Sequence, residues 1–298
     1  MPIQHPTAVF AAGHLARKAH DFLEFIKFSH TIFAMPFALG SMFVAAGGLP
    51  NIKTAAGIVL AMIFARTAAM TFNRLVDWEI DKRNPRTGMR HRLASRPLAV
   101  SVCLASSLLF VVAAGWLNSL CLILSPVALA IIFFYSLTKR FTAFSHGFLG
   151  LALSVAPVGA WLAVTGEFAW PSFVLALAVL FWVAGFDVIY ATQDYESDKR
   201  EGLHSAVVRL GPARAIRLAS GLHGIAFAGM ALFGFSAGLG VWYFATLPMI
   251  GAALLWEHFA AKDRNPATIN VAFFQANAVV GGLFMLGTAL DVLIHAGR

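Results

Sequence analysis

Long apolar runs, broken by brief polar stretches, make up most of the chain. Nine runs, at residues 28–47, 54–73, 99–117, 119–138, 146–165, 171–193, 214–236, 239–256 and 270–294, each come close to the roughly 20 apolar residues that a bilayer-spanning helix needs. Within them apolar residues follow one another without the two-residue alternation of a half-buried strand, which predicts helices throughout. The connections alternate in character. On one side they are short, as at Gly47-Gly48-Leu49-Pro50 and Ala237-Gly238; on the other they are long and charged. The pattern predicts an all-α polytopic membrane bundle of about nine transmembrane helices, with residues 1–298 forming a single integral-membrane domain.

Composition narrows the function classes. Hydrophobic residues are 59% of the chain and charged residues 12%, with a mean hydropathy of +0.76. A soluble domain has about 45–50% apolar and about 25% charged residues, so this chain could not cover a water-facing surface. A soluble enzyme, a disordered tail and a nucleic-acid-binding module are excluded, and a lipid bilayer is the expected surrounding. The net charge of +8 is then read as topology and anion binding. Cys103 and Cys121 lie alone in apolar runs and read as small core residues. The histidines, His146, His223 and His258 among them, lack metal-motif spacing and read as helix-end or packing residues.

Charge also sets orientation. With the N-terminus placed inside, 19 of the 22 Lys and Arg fall on the inner side, among them Arg17, Lys18, Lys27, Lys139 and Arg140. Only Lys53 and Arg298 fall outside, and Arg66 lies within a run. This is the positive-inside pattern. It predicts a multi-pass protein of the cell (inner) membrane, with a cytoplasmic N-terminus and cytoplasmic-side chemistry. Acidic residues share the asymmetry, although topology does not require it: Asp77, Glu79, Asp81, Asp194, Glu196, Asp198, Glu201, Glu257 and Asp263 are all placed inside.

Two acidic clusters stand out. Asn73, Asp77 and Asp81 end the second run; Tyr190, Asp194 and Asp198 end the sixth. Four-residue spacing on a helix places each set within an arc of about 80°. Arg66 lies seven residues before Asn73, and Asp187 lies seven residues before Asp194. Carboxylates held together repel unless a cation neutralises them. Mg²⁺ suits this donor set, because it is held by one or two carboxylates together with substrate phosphate oxygens. Nearby Arg and Lys would grip the rest of an anionic group. A diphosphate with a greasy remainder in the bundle is the expected ligand. Arg66 and Asp187, ionisable residues inside apolar runs, reinforce a functional reading.

On these residues the chain resembles the UbiA-type intramembrane aromatic prenyltransferases. That family carries Asn-x-x-x-Asp-x-x-x-Asp after its second helix and Asp-x-x-x-Asp after its sixth, matched by Asn73, Asp77 and Asp81 and by Asp194 and Asp198. His30-Thr31-Ile32-Phe33-Ala34-Met35-Pro36-Phe37 is similar to the first helix of the family, and Asn84-Pro85-Arg86-Thr87 to the stretch after its first motif. Tyr135-Ser136-Leu137-Thr138-Lys139-Arg140 is similar to the end of its fourth helix. Two departures are Arg74, where many members carry Asp, and Arg90-His91-Arg92-Leu93-Ala94-Ser95-Arg96-Pro97, which lacks a glycine near its end.

The resemblance implies Mg²⁺-dependent transfer of a polyprenyl group from an allylic diphosphate to an aromatic acceptor. The expected acceptor is 4-hydroxybenzoate or a related hydroxylated aromatic acid of ubiquinone or menaquinone synthesis. It implies metal binding by Asn73, Asp77, Asp81, Asp194 and Asp198, a diphosphate role for Lys139, and a role for Arg66 at the acceptor carboxylate. Arg86, Tyr135, Arg140, Asp187, Tyr190 and Lys199 complete the expected substrate-binding set. No nucleic acid or obligate protein partner is expected. A haem O or chlorophyll type of prenyl transfer remains open, as does a secondary transporter of an organic anion. A CDP-alcohol phosphotransferase fits less well, because neither cluster contains the Asp-Gly pair of that class.

Overall fold

The structure, a computed structural model, describes residues 20–27, 33–89, 93–262 and 265–296. The start of the first run with His30, Thr31 and Ile32, the stretch Arg90-His91-Arg92, the pair Asp263 and Arg264, and Arg17, Lys18 and Arg298 lie outside these residues. All regular structure among the described residues is helical. The helices α1 (Met35–Ala46), α2 (Ile52–Val76), α3 (Arg96–Leu117), α4 (Ser119–Thr138), α5 (Ser145–Thr165), α6 (Trp170–Ala191), α7 (Pro212–Ser236), α8 (Val241–Ala261) and α9 (Pro266–Ala296) follow the nine runs. Eight of them are long and apolar enough to cross a membrane, and α1 is shorter.

Local sequence chemistry sets the ends. Asn51, Ser95 and Asn118 each accept a backbone N–H as caps of α2, α3 and α4. Gly47 and Gly238 adopt positive φ (60° and 67°), the left-handed geometry that lets the short connections reverse the chain. α8 breaks between Phe244 and Leu247. The run 239–256 predicts no such break; Pro248, within the first turn of the second piece, explains it, because proline cannot donate to the preceding turn. Buried Asp291 of α9 receives the backbone N–H groups of Gly240 (2.7 Å) and Trp242 (3.2 Å), and so holds the first piece.

The helices pack in a ring that follows chain order, closed by α1, which lies against both α5 and α9. Small residues allow close approach. A Cβ on Gly150 would sit 2.3 Å from the Leu180 carbonyl oxygen, so α5 and α6 meet backbone to backbone there. The main core joins α1 to the helices of the second half, around Phe37, Trp182, Phe233, Tyr243 and Phe284. A buried polar knot joins the same helices. His258 meets His223 at 3.0 Å, His223 meets the Trp182 carbonyl at 3.2 Å, and Asn277 donates to Glu257 at 3.1 Å. Glu257 is therefore a fully buried interior group rather than a member of an inner-surface acidic patch.

The outward surface carries exposed Leu104, Leu108, Ile123, Phe235 and Phe259. Such continuous apolar exposure is incompatible with water as the sole solvent, and the chain is a multi-pass membrane protein. A cavity of about 300 Å³ lies among α2, α3, α4 and α5, lined by Met62, Arg66, Ala114, Tyr135, Leu149 and Ala156 among others. Gly150→Val should cost about 1–3 kcal/mol by overpacking. Thermal unfolding in detergent should show a lowered Tm, whereas Gly147→Ala, which meets nothing within 4 Å, should not shift it.

Candidate active site

Both acidic motifs sit where a helix changes path at the same end of the bundle. α2 ends at Val76, Asp77 takes φ −91° and ψ 9°, and a short helix, Trp78–Arg83, carries Asp81. α6 ends at Ala191, tightens into a 3₁₀ turn over Thr192–Asp194, and restarts as Tyr195–Arg200, which carries Asp198. Unbroken helical stripes are therefore not what forms. Polar side chains at the ends take up backbone groups: the Thr192 hydroxyl donates to the Ile189 carbonyl at 2.6 Å. The break still leaves each pair of aspartates at one helix end.

Each motif is met by cations. Asp77, only 3% exposed, pairs with Lys139 at 2.5 Å and Arg140 at 3.0 Å, both from the end of α4. Arg140 also donates to the Val76 carbonyl at 2.9 Å, fixing α4 against the end of α2. Asn73 reaches Asp77 and the Ser136 hydroxyl, each at 3.4 Å. Asp81 pairs with Arg74 at 3.3 Å, and the same arginine donates to the Phe25 carbonyl at 3.2 Å.

The second motif is joined to the first by the loop after Arg83. Arg86 forms an ion pair with Asp194 through Nη2, donates to it through Nε at 2.8 Å, and donates to the Tyr190 hydroxyl at 2.9 Å. Its guanidinium lies 5.0 Å from the Tyr190 ring centroid. Burial alone would weaken the arginine's charge; Asp194 and Tyr190 outweigh it and raise its pKa above the ordinary value. Asn84 also donates to Asp194, at 3.1 Å. Arg83 pairs with Glu201 at 2.7 Å. Asp198 lies within electrostatic reach of Asp194, Lys139, His146 and Arg86. The two acidic helix ends thus face one basic interior, with Lys139 between them. The segment Gly202-Leu203-His204-Ser205 is tied there: the His204 N–H donates to the Lys139 carbonyl at 2.6 Å.

Arg66 and Tyr135 stand apart from these pairs and line the cavity. The Arg66 Nε is buried with no hydrogen-bond partner among the described residues. Asp187 pairs with His146 of α5 at 2.6 Å. Lys199 does not join the group; it is exposed, 5.8 Å above the Tyr195 ring.

Four aspartates in two pairs, basic side chains on each pair and an apolar cavity nearby have the chemistry to hold an anionic head group with an apolar tail. Among the described residues no three His, Cys, Asp or Glu side chains come together as a metal cage. Paired carboxylates that leave the remaining positions to phosphate and water suit a hard divalent ion such as Mg²⁺, and the residues fit that group. A sequence profile of the UbiA prenyltransferase family matches residues 34–279. The chain belongs to this family.

As a UbiA-family protein it is a prenyltransferase enzyme, and its relatives agree. It is 28% identical over 300 residues to the 4-hydroxybenzoate octaprenyltransferase of Pseudomonas aeruginosa, covering 97% of this chain and 99% of the relative. It is 31% identical over 268 residues to that of Nitrosospira multiformis, covering 87% and 89%. A solved UbiA homologue from Aeropyrum pernix superposes with a TM-score of 0.80 at 28% identity, over 89% of this chain and 98% of the other. A UbiA homologue from Archaeoglobus fulgidus bound to GPP and Mg²⁺ has the same fold, with a TM-score of 0.73 at 22% identity over 91% and 99%.

Several groups at this UbiA-family site escape a reading by spacing. Arg74, a departure from the motif, is the buried partner of Asp81. Asn84 and Arg86 act on an aspartate more than a hundred positions away, and His146 acts on one 41 positions away. Arg74→Leu should remove this ion pair from Asp81 and this donor from the Phe25 carbonyl. A loss of about 1–3 kcal/mol is expected, read as a lowered Tm in detergent and relieved in part by Arg74→Lys.

Proposed function

We propose that this enzyme transfers a polyprenyl group from an allylic diphosphate to a hydroxylated aromatic acid, with 4-hydroxybenzoate as the preferred acceptor, in ubiquinone-type quinone synthesis. The observation that carries the reading is the convergence of Asp77, Asp194, Lys139 and Arg86 at one end of an apolar cavity. The names of its relatives support the acceptor. The whole chain acts as one integral-membrane domain of the cell membrane, with the site on the cytoplasmic side, where the basic loops gather.

Asn73, Asp77, Asp81, Asp194 and Asp198 would hold Mg²⁺. When bound, the ion neutralises diphosphate oxygens and makes diphosphate a better leaving group. The chain's own residues do the rest. Lys139, Arg140 and Arg86 bind the free diphosphate oxygens, exchanging an aspartate partner for phosphate. Tyr190 and Asn84 orient Arg86. The apolar faces of α2–α5 receive the prenyl chain and exclude water while cationic character develops at its first carbon. Arg66, buried on the cavity wall, meets the acceptor carboxylate and points the ring toward that carbon. The C–O bond to diphosphate breaks, a ring carbon forms the new C–C bond, and the ring then loses its proton. A secondary transporter is disfavoured because most of the acids gather at one membrane interface rather than at a midplane site.

The test is an assay of membranes or purified protein with Mg²⁺, a series of prenyl diphosphates and a panel of phenolic acids, with products identified by mass. Prenylated 4-hydroxybenzoate and released pyrophosphate are expected without any ion gradient. Asp77→Ala and Asp194→Ala should each lower turnover roughly 10²–10³-fold, as should removing divalent ions with a chelator. Wild-type rates in either variant would refute the assignment. Arg66→Gln should raise the KM for 4-hydroxybenzoate about tenfold, the worth of a charge-assisted hydrogen bond, and leave the KM for prenyl diphosphate unchanged.

A further inference from the structure

The pair formed by His146 and Asp187 has no part in the ion pairs around the diphosphate end. His146 stands near the start of α5, on the face that continues through Leu149, Leu153, Ala156 and Gly159, all of which line the cavity. Asp187 stands on α6, one heptad before Asp194. The contact of 2.6 Å between His146 Nδ1 and Asp187 Oδ2 therefore falls between the apolar cavity and the acidic cluster. This is the level where a prenyl chain held by its diphosphate would meet a ring held in the cavity.

The two partners differ in openness. The His146 side chain is 8% exposed and that of Asp187 is 26% exposed. Asp187 uses one oxygen on the histidine, and its other oxygen has no partner among the described residues. On the far side of the ring, His146 Nε2 is buried and has no partner among the described residues. An unsatisfied buried nitrogen is costly, and an apolar side chain would fill the space without that penalty. A packing role leaves the histidine unexplained. Holding a carboxylate in one orientation, and sharing its proton when one arrives, explains it.

We propose that Asp187 is the proton acceptor of the transfer reaction and that His146 is its positioning residue. The proposal rests on the aromatic prenyl-transfer reading. After the C–C bond to the prenyl carbon has formed, the hydrogen on the substituted ring carbon leaves as a proton. The electron pair of that C–H bond returns to the ring, and the proton passes to the open oxygen of Asp187. The bond to His146 Nδ1 spreads the proton between carboxylate and imidazole until it leaves to water. Diphosphate departs with the electron pair of the broken C–O bond, so neither oxidant nor reductant is required.

The experiment uses purified full-length protein with farnesyl diphosphate, Mg²⁺ and either 4-hydroxybenzoate or its ring-deuterated form. Pyrophosphate release and prenylated product are measured separately. In His146→Leu, steady-state product formation should fall about 10–100-fold, while the first-turnover burst of pyrophosphate and the KM for farnesyl diphosphate stay close to wild type. Slow proton loss should expose a primary isotope effect with the deuterated acceptor that wild type does not show. His146→Asn, whose amide nitrogen can take the place of Nδ1, should recover much of the product rate, and Asp187→Asn should not. Proportional loss of pyrophosphate release and product with no isotope effect, or an unimpaired product rate in His146→Leu and Asp187→Asn, would overturn the proposal. Absence of prenylated product from wild type would instead remove the aromatic-transfer reading on which it stands.

Discussion

Carboxylates gathered at the end of a membrane bundle must be neutralised, and this constraint organises the molecule. Like charges in a poorly hydrated space are expensive, and the chain answers with basic side chains brought from elsewhere in the sequence. Lys139 and Arg140 meet Asp77, Arg74 meets Asp81, and Arg86 meets Asp194. These pairs tie the ends of α2, α4 and α6 to one another and draw the loop after Arg83 across the gap. The same cations that stabilise the helix ends form the anion-binding surface on the proposed reading. A diphosphate arriving with divalent ions would keep every charge partnered: metal on carboxylate, arginine and lysine on phosphate.

The bundle supplies what the charges cannot. Small residues such as Gly150 bring α5 hard against α6, and the aromatic core around Trp182 and Phe284 consolidates the second half. The first half, between α2 and α5, is left open as the cavity. The larger core fills the second half and the cavity lies in the first, which on the proposed reading suits a prenyl chain entering from the lipid while its head group stays at the interface. Arg66 is the notable polar group on that wall. With no protein partner for its Nε among the described residues, it invites an anionic ligand group.

Much of this was legible in the sequence. Apolar run length gave the helices, because a bilayer sets the length that backbone hydrogen bonding requires; the run 119–138 and α4 coincide. The paired acidic motifs were legible because helical spacing and chemistry agree within nine residues. Hidden from that reading were contacts between distant segments. Nothing local says that Asn84 and Arg86 reach Asp194, that His146 reaches Asp187, or that Glu257 turns inward to Asn277. The break in α8 had a local signal in Pro248, overridden by continuous hydropathy. The tightening at Thr192–Asp194 was obscured because Asp-x-x-x-Asp spacing reads equally well on a continuous helix and across a 3₁₀ turn.

The central claim is that the two acidic helix ends share a single ligand. Calorimetric titration of inorganic pyrophosphate into purified protein, with and without Mg²⁺, tests it most directly. Binding should require the ion, and Asp77→Asn and Asp194→Asn should each abolish that metal-linked binding although they lie on different helices. If either variant alone binds pyrophosphate and Mg²⁺ as the unaltered protein does, the two ends do not act on a common ligand.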